Sequence, residues 1–106
     1  MKAYHTLTVG GQDYKLRLTA SAIMAIEKKL GKSLFTVMGN IEDNIIEHLA
    51  TILWASMQPF NENTSFEAAV DMIDQYAQDG HTLDELIHEM NTLFNSSGFF
   101  TKGQAI

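Results

Sequence analysis

Residues 45–57 read IIEHLATILWASM, a stretch that decides how the rest of the chain must be arranged. Its apolar residues cover more than one face of a 3.6-residue helix, whereas a helix at the surface of a small domain needs only one apolar stripe. The run is too short to span a bilayer and is interrupted by polar residues. We therefore predict the central helix of a small bundle, with Trp54 and Met57 near its end and able to reach a partner.

The residues before residue 19 have the alternation of β-strands. Apolar and polar residues alternate in YHTLTV (4–9) and in YKLRL (14–18), and Gly10-Gly11 lies between the two runs. This pattern predicts a β-hairpin whose second strand turns its tyrosine and leucines toward the core. A two-stranded hairpin is marginal in water, so it must lie on the helices or pair with strands of another copy. In the second case its free edge is an assembly surface.

Two segments before the central helix have helical signals. Apolar residues at helical spacing predict a helix over residues 20–30, and Gly31 is suited to its C-terminal cap. The next apolar run, SLFTVM (33–38), is expected to form a helical turn or two, although Phe-Thr-Val equally suits a strand. As a helix, this run would place Leu34, Phe35 and Met38 in the core.

Two more helices are predicted after the central one. The patterns Thr64-Ser-Phe-Glu67 and Thr82-Leu-Asp-Glu85 match capping boxes, and the helices that follow them run to Gly80 and Gly98. In a Schellman motif at the second C-terminus, Phe99 would pack against a phenylalanine of that helix, Phe94.

These elements together predict a mainly α (α+β) fold in a single domain of 106 residues. It consists of an N-terminal β-hairpin (4–18), a small bundle of about four helices (19–100) and a loose tail (101–106). The N-terminus lacks the apolar core of a signal peptide, and the absence of cysteines excludes a disulfide framework or a thiolate nucleophile. A soluble intracellular protein is therefore expected.

The charges are strongly segregated along the chain, which has a net charge of −6. Residues 1–40 contain six lysines and arginines against two acidic residues, whereas residues 41–101 contain eleven acidic residues and neither lysine nor arginine. The two halves could neutralise each other within one fold or between neighbouring copies, or the charges could simply solvate polar faces. The long acidic portion argues against nucleic acid as the main partner, because phosphate binding needs clustered cations.

The search for chemistry yields one weak candidate. Glu85-x-x-His88 is half of the pair that di-iron bundles use, and no second Glu-x-x-His occurs. His81, Glu85 and His88 could line one face as metal ligands, but an exposed acidic face without a metal explains them equally. No phosphate-binding or nucleophile motif is present. We therefore expect no catalytic residues, no cofactor and no metal site.

Most of the chain, from about Tyr4 to Lys102, resembles the tail assembly chaperones of long-tailed bacteriophages and prophages. The likeness begins in YKLRLTASAIMAIEKKLGKSL (14–34), where a basic-apolar strand ending in an L-R-L-T-like run leads to an E-K-K-L-G-K-like helix end. The later pieces are similar in layout: W-A-S-M-Q (54–58), an acidic helix around residues 71–79, Gly80, T-L-D-E-L (82–86) and S-G-F-F (97–100).

This resemblance implies a non-enzymatic function. Such chaperones coat the aggregation-prone tape measure protein in multiple copies in the host cytoplasm, and they are absent from the finished virion. Many occur as a short form and a frameshifted longer form, and this chain would be the short form or a family member without an extension. The implied partners are thus the tape measure protein and further copies of this chain in a homo-oligomer, with a frameshifted longer form of the chain as another candidate; neither nucleic acid nor a membrane is implied.

A client with apolar stripes requires an apolar patch with a polar rim. The candidate residues for client binding or self-association are Trp54, Met57, Phe60, Phe99 and Phe100. Burial in the protein's own core is the competing explanation for each aromatic. Two other functions stay open: a structural tail or head-completion protein retained in the virion, and a small metal-binding helical protein.

Overall fold

In the computed structural model, which describes residues 4–100, the chain begins with the predicted β-hairpin. Strands β1 (His5–Val9) and β2 (Gln12–Leu16) pair in antiparallel fashion. Gly10 and Gly11 form the connecting turn with φ angles of 60° and 77°. Two successive positive φ angles are characteristic of a type I′ turn, which matches the twist of the flanking strands. The expected loose tail, residues 101–106, lies outside the described residues.

Five helices follow the hairpin in the described part of the chain, and this α+β architecture confirms the predicted fold class. The short run after the first helix is helical, as expected, rather than extended, so the helices number five where about four were predicted. In chain order the helices are α1 (Ala20–Leu30), α2 (Leu34–Gly39), α3 (Ile45–Met57), α4 (Phe66–Gln78) and α5 (Leu83–Ser96).

Helix α3 is the centre of the bundle, as its sequence predicts. It contacts α1, α4, α5 and β2. Because neighbours cover it on several sides, burial extends around the helix and includes two small polar residues, Thr51 and Ser56. Its buried residues are His48, Leu49, Ala50, Thr51, Ile52, Leu53, Ala55, Ser56 and Met57.

The hairpin lies on the helices, which is the first of the two arrangements that its sequence allows. The inward side chains Leu7, Val9 and Leu16 are buried in the common core. Two hydrogen bonds fix the position of the hairpin. The Arg17 N–H donates to the Ser56 carbonyl of α3 (2.9 Å), and the Gly10 N–H donates to the Asp79 carboxylate after α4 (2.6 Å).

The helix ends mostly follow the predicted caps. Thr19 caps α1, and Gly31 ends it in the left-handed conformation, which a residue without Cβ adopts at little cost. The capping box at α5 is complete, because the Thr82 hydroxyl accepts from the Glu85 N–H while the Glu85 carboxylate accepts from the Thr82 N–H. Each such cap satisfies backbone donors that have no partner within the helix.

The predicted capping box at Thr64 is wrong. Ser65 is the N-cap of α4, and its hydroxyl accepts from the Ala68 N–H (3.0 Å). Thr64 instead belongs to the preceding turn, where its N–H donates to Asn61 and its carbonyl accepts from the Gln58 side chain. With the cap one residue later, Glu67 no longer has the three-residue spacing that the box requires.

His48 is a buried polar link between the two connections that flank α2. Its Nδ1 lies 3.2 Å from the Ile41 carbonyl, and its Nε2 lies 3.1 Å from the Lys32 ammonium. The carbonyl can only accept, so Nδ1 donates to it and Nε2 accepts from the lysine. The histidine therefore holds α2 at the end of the bundle where α3 begins.

Candidate interaction surface

An exposed group of aromatic rings lies at the α2 end of the bundle. Phe35 on α2 and Phe99 after α5 have 73% and 54% of their surfaces exposed. Both contact Phe100, with ring centroids 5.7 Å and 6.5 Å from its own. Phe100 in turn packs edge-on against the buried Phe94 at 6.0 Å. We call Phe35, Phe99 and Phe100 the aromatic ridge, which is an exposed apolar surface anchored to the core.

The expected core position of Phe35 is wrong, and the geometry of α2 gives the reason. The six-residue helix turns Leu34 and Val37 to the core, at a spacing of three residues. Phe35 is one step of about 100° from Leu34, so it points away from that face. Met38 is only partly buried. The spacing of Leu34 and Val37 was the sequence signal that could have placed Phe35 on the surface.

The expected contact between Phe99 and Phe94 is also wrong. Helix α5 ends with Ser97 as its C-cap, and the Gly98 that follows has a positive φ of 87°. The chain then turns so that Phe100 covers Phe94, while Phe99 projects outward. Phe99 and Phe100 thus remain candidates for partner binding. Phe99 is exposed, and Phe100 supports it by packing between Phe99 and the buried Phe94.

Trp54 lies half-buried on α3. The Lys29 ammonium lies 5.9 Å from the Trp54 ring centroid and 4.1 Å from that of Phe66. A cation above the face of an aromatic ring is attracted by the ring quadrupole. Part of the Trp54 surface is therefore occupied by this internal contact, and the remainder is accessible.

Met57, the last residue of α3, does not reach the surface. It is only 3% exposed, because the chain folds back over it and the Phe60 and Asn61 N–H groups donate to its carbonyl. Phe60 itself is 45% exposed and packs edge-on against Tyr4 at 5.9 Å. Met57 is therefore a core residue in the monomer, and its expected role in partner binding stays a prediction.

The five predicted residues do not form one patch. Phe60 follows the C-terminal end of α3, whereas the aromatic ridge includes Phe35 of α2, which His48 holds near the N-terminal end. A helix of 13 residues is about 20 Å long, so the two exposed aromatic sites are well separated. The sequence suggested both sites but could not show that Phe35 belongs to one of them.

Comparison with known proteins gives one match. The chain matches, over residues 1–105, a family described as "Family of unknown function (DUF6096)". The chain belongs to this family. No curated protein and no solved structure matches it.

The candidate metal ligands His81, Glu85 and His88 of this DUF6096 member lie just before α5 and in its first half. His81 stacks on Tyr76, with ring centroids 4.4 Å apart, and its Nδ1 lies 3.6 Å from the Glu85 carboxylate. Glu85 is engaged in the capping box, and the Thr82 N–H lowers the pKa of its carboxyl. Across residues 4–100, no group of three or more histidine and acidic side chains is arranged to hold a metal ion. His81 and Glu85 thus have structural partners, and His88 faces solvent.

The opposite charges of the two halves form no close pairs between lysine or arginine and a carboxylate within the described part of this DUF6096 chain. The contacts of carboxylates with basic side chains found among residues 4–100 are those of His5 with Glu89 and of His81 with Glu85. The basic residues instead lie over aromatic rings, bond to His48 or face solvent. Within the same residues, no helix has the length and hydropathy that a membrane crossing requires.

Proposed function

We propose that this protein is a tail assembly chaperone of a long-tailed phage or prophage. In this function it binds the tape measure protein without catalysis, in several copies per client, and keeps that protein soluble until the tail tube polymerises around it. It would act in the cytoplasm of the bacterial host and would be displaced before the virion is complete. The proposal rests on the sequence resemblance for the identity of the client.

The aromatic ridge is the structural observation that best supports this function. Phe35 and Phe99 expose large apolar surfaces in contact with Phe100, which is anchored on the buried Phe94. The exposed parts of these two rings add nothing to the stability of the folded chain, whereas clustered exposed rings are typical of binding surfaces. Because Phe100 packs against the buried Phe94, little of its side-chain entropy would be lost when a client binds.

The size of the ridge fits a client that is bound many times. Three rings form a small surface, so each copy would bind weakly. A long helical client that presents repeated apolar stripes would hold many copies, and this multiplicity would supply the stability that one contact lacks. The remaining predicted residues, Trp54 and Phe60, are separate from the ridge and could contact the client or a neighbouring copy.

The first test is co-expression with the tape measure protein of the same phage or prophage. We expect a soluble complex with many copies of this chain per client, measured by light scattering, when the client alone precipitates. The double variant Phe35→Asp/Phe99→Asp should stay folded by circular dichroism but lose the client, since both rings are already exposed. If the wild-type chain stays alone, or if the double variant still holds the client, the proposal is wrong.

A matched control uses two exposed apolar residues outside the ridge. Met24 on α1 is 70% exposed, and Leu83 begins α5. The variant Met24→Asp/Leu83→Asp adds the same two negative charges and should keep the client soluble.

Mass spectrometry of purified virions distinguishes the chaperone from the structural alternative, because a structural tail or head-completion protein would persist in the particle and a chaperone would not.

A further inference from the structure

Strand β2 has an open edge with backbone groups directed away from its partner. The turn Gly10-Gly11 makes Val9 and Gln12 the closing hydrogen-bonded pair, and the pairing continues as Leu7 with Tyr14. Hydrogen-bonded pairs alternate with non-bonded pairs in an antiparallel ladder. The N–H and C=O groups of the intervening residues, Asp13 and Lys15, therefore point outward from β2.

Arg17 confirms this direction. It is the next residue in the same alternation, and its N–H is directed outward to the Ser56 carbonyl of α3. For the backbone N–H groups of Asp13 and Lys15, by contrast, the residues that the structure describes provide no hydrogen-bond partner. An unpaired strand edge of this kind is a template for another strand.

The two side chains on this edge carry opposite charges and are held in place. The Thr8 hydroxyl donates to the Asp13 carboxylate at 2.6 Å. The Lys15 ammonium lies 4.9 Å from the Tyr4 ring centroid and 5.8 Å from that of Phe60. Neither charge forms an ion pair within residues 4–100. Both are thus available for a partner and already ordered, which reduces the entropy cost of pairing.

We propose that two copies of this chain associate through their β2 edges into a continuous four-stranded antiparallel sheet, with the two-fold axis at Tyr14. In this register Asp13 of each copy lies opposite Lys15 of the other, and each of these pairs exchanges two backbone hydrogen bonds. Opposite charges that face each other across strands stabilise the pairing, and like charges oppose it. This inference concerns self-association and does not depend on the proposed client.

Charge complementarity excludes the neighbouring registers. An axis at Asp13 would place the two Asp13 carboxylates opposite each other. An axis at Lys15 would place two ammonium groups together and would also need the Arg17 N–H, which Ser56 already occupies. Only the Tyr14 axis pairs opposite charges throughout and uses free backbone groups.

The surroundings of the edge set the length of the contact. A groove of about 260 Å³ lies beside β2 and is bordered by Met57, Phe60 and Asn61. In this register the Gly10-Gly11 turn of the partner copy lies opposite Arg17, at the point where β2 meets α3. Glycine has no side chain that could collide with the helix. The paired segment is therefore short, and we expect a weak dimer that forms at high local concentration, as on a shared client.

Charge exchange provides the test, with the intact chain studied by sedimentation from micromolar to millimolar concentration. Asp13→Lys and Lys15→Asp should each weaken dimerisation by about tenfold or more, since each turns two attractive cross-strand pairs into two repulsive ones. The double variant Asp13→Lys/Lys15→Asp restores opposite charges and should dimerise nearly as well as the wild type. A monomeric wild type, or a double variant as weak as the single ones, would overturn the proposal.

Lys28→Asp is the control for general electrostatic attraction between the acidic and basic halves of different copies. Lys28 is exposed in the last turn of α1, away from the strand edge, and its reversal changes the net charge as much as Lys15→Asp does. It should leave the dimer intact.

Hydrogen exchange by NMR gives a second readout, because the Asp13 and Lys15 amides should become protected as the protein concentration rises. Protection that does not depend on concentration would contradict the strand pairing.

Discussion

Thr51 places a hydroxyl in the middle of the central helix, where it is fully buried. Its Oγ1 has no hydrogen-bond partner among residues 4–100. A buried hydroxyl without a partner has lost its hydration and gained nothing in exchange. We therefore expect Thr51→Val to raise the free energy of unfolding by about 1 kcal/mol, as measured by urea denaturation.

The control for Thr51→Val is Thr51→Ser, which keeps the hydroxyl and removes the methyl group. It should lower the free energy of unfolding by about 1 kcal/mol, because it leaves a small cavity. A lower free energy of unfolding in Thr51→Val would mean that the Thr51 hydroxyl forms a hydrogen bond in solution that offsets the cost of its burial.

At the scale of single residues, the sequence predicted which stretches are buried better than which aromatic rings are exposed. The burial of Leu16 and Leu18 follows from strict alternation in β2 and the residues after it. Phe99 and Phe100 are adjacent, so a change of backbone direction after α5 decides which one covers Phe94. No local pattern encodes that direction. The predicted core position of Phe35 was wrong even though a local pattern was present, because the spacing of Leu34 and Val37 places Phe35 off the buried face of α2.

At the scale of elements, the hairpin and the helices were predictable because each carries its own periodicity and caps. The contacts between them were not. The Gly10 N–H bonds to Asp79, a residue 69 positions away, and the Asp79 carboxylate also accepts from the Gln75 side chain. This carboxylate joins the hairpin turn to the end of α4. Local propensity cannot predict such a contact, because it depends on where both elements lie in three dimensions.

This contact predicts a pH dependence of stability. The Gly10 N–H, and to a lesser degree the Gln75 amide, lower the pKa of the Asp79 carboxyl below its ordinary value of 3.8. The folded state therefore favours the carboxylate, and its stabilising effect is present above pH 3.8 and is lost as the pH falls through the lower pKa of the folded state. The difference in unfolding free energy between the wild type and Asp79→Asn should accordingly shrink below pH 3.8.

Carboxyl titration by NMR measures the same effect at the residue itself. The Asp79 carboxyl should titrate below 3.8 in the folded protein. Gln75→Ala removes the weaker donor and should raise the pKa of Asp79 only part of the way to its ordinary value. Titration at or above 3.8 in the wild type would mean that the bond to Gly10 is absent in solution.

At the scale of the whole molecule, the segregation of charge was visible in the sequence, but its consequence was not. Neutralisation within the fold and between copies were both open. The structure contains no ion pair between a lysine or arginine and a carboxylate within residues 4–100, so the repulsion among the acidic residues of α4 and α5 is not offset there by close pairing with those cations. This repulsion destabilises the compact state.

We therefore expect added sodium chloride to stabilise the monomer at pH 7, where the net charge is −6. Salt screens the repulsion between exposed charges, and it screens most strongly those that are farther apart than the Debye length. The gain should be on the order of 1 kcal/mol, a rise of several degrees in the unfolding temperature. The measurement is thermal unfolding in dilute solution, where self-association does not contribute.

The same experiment near pH 5.0 is the control, because the net charge there is close to zero. With balanced charges, the repulsive term disappears and the salt effect should vanish or change sign. A protein that salt destabilises at pH 7 would instead be held together by attractive pairs across its two halves. The opposite charges of the two halves would then act within one molecule.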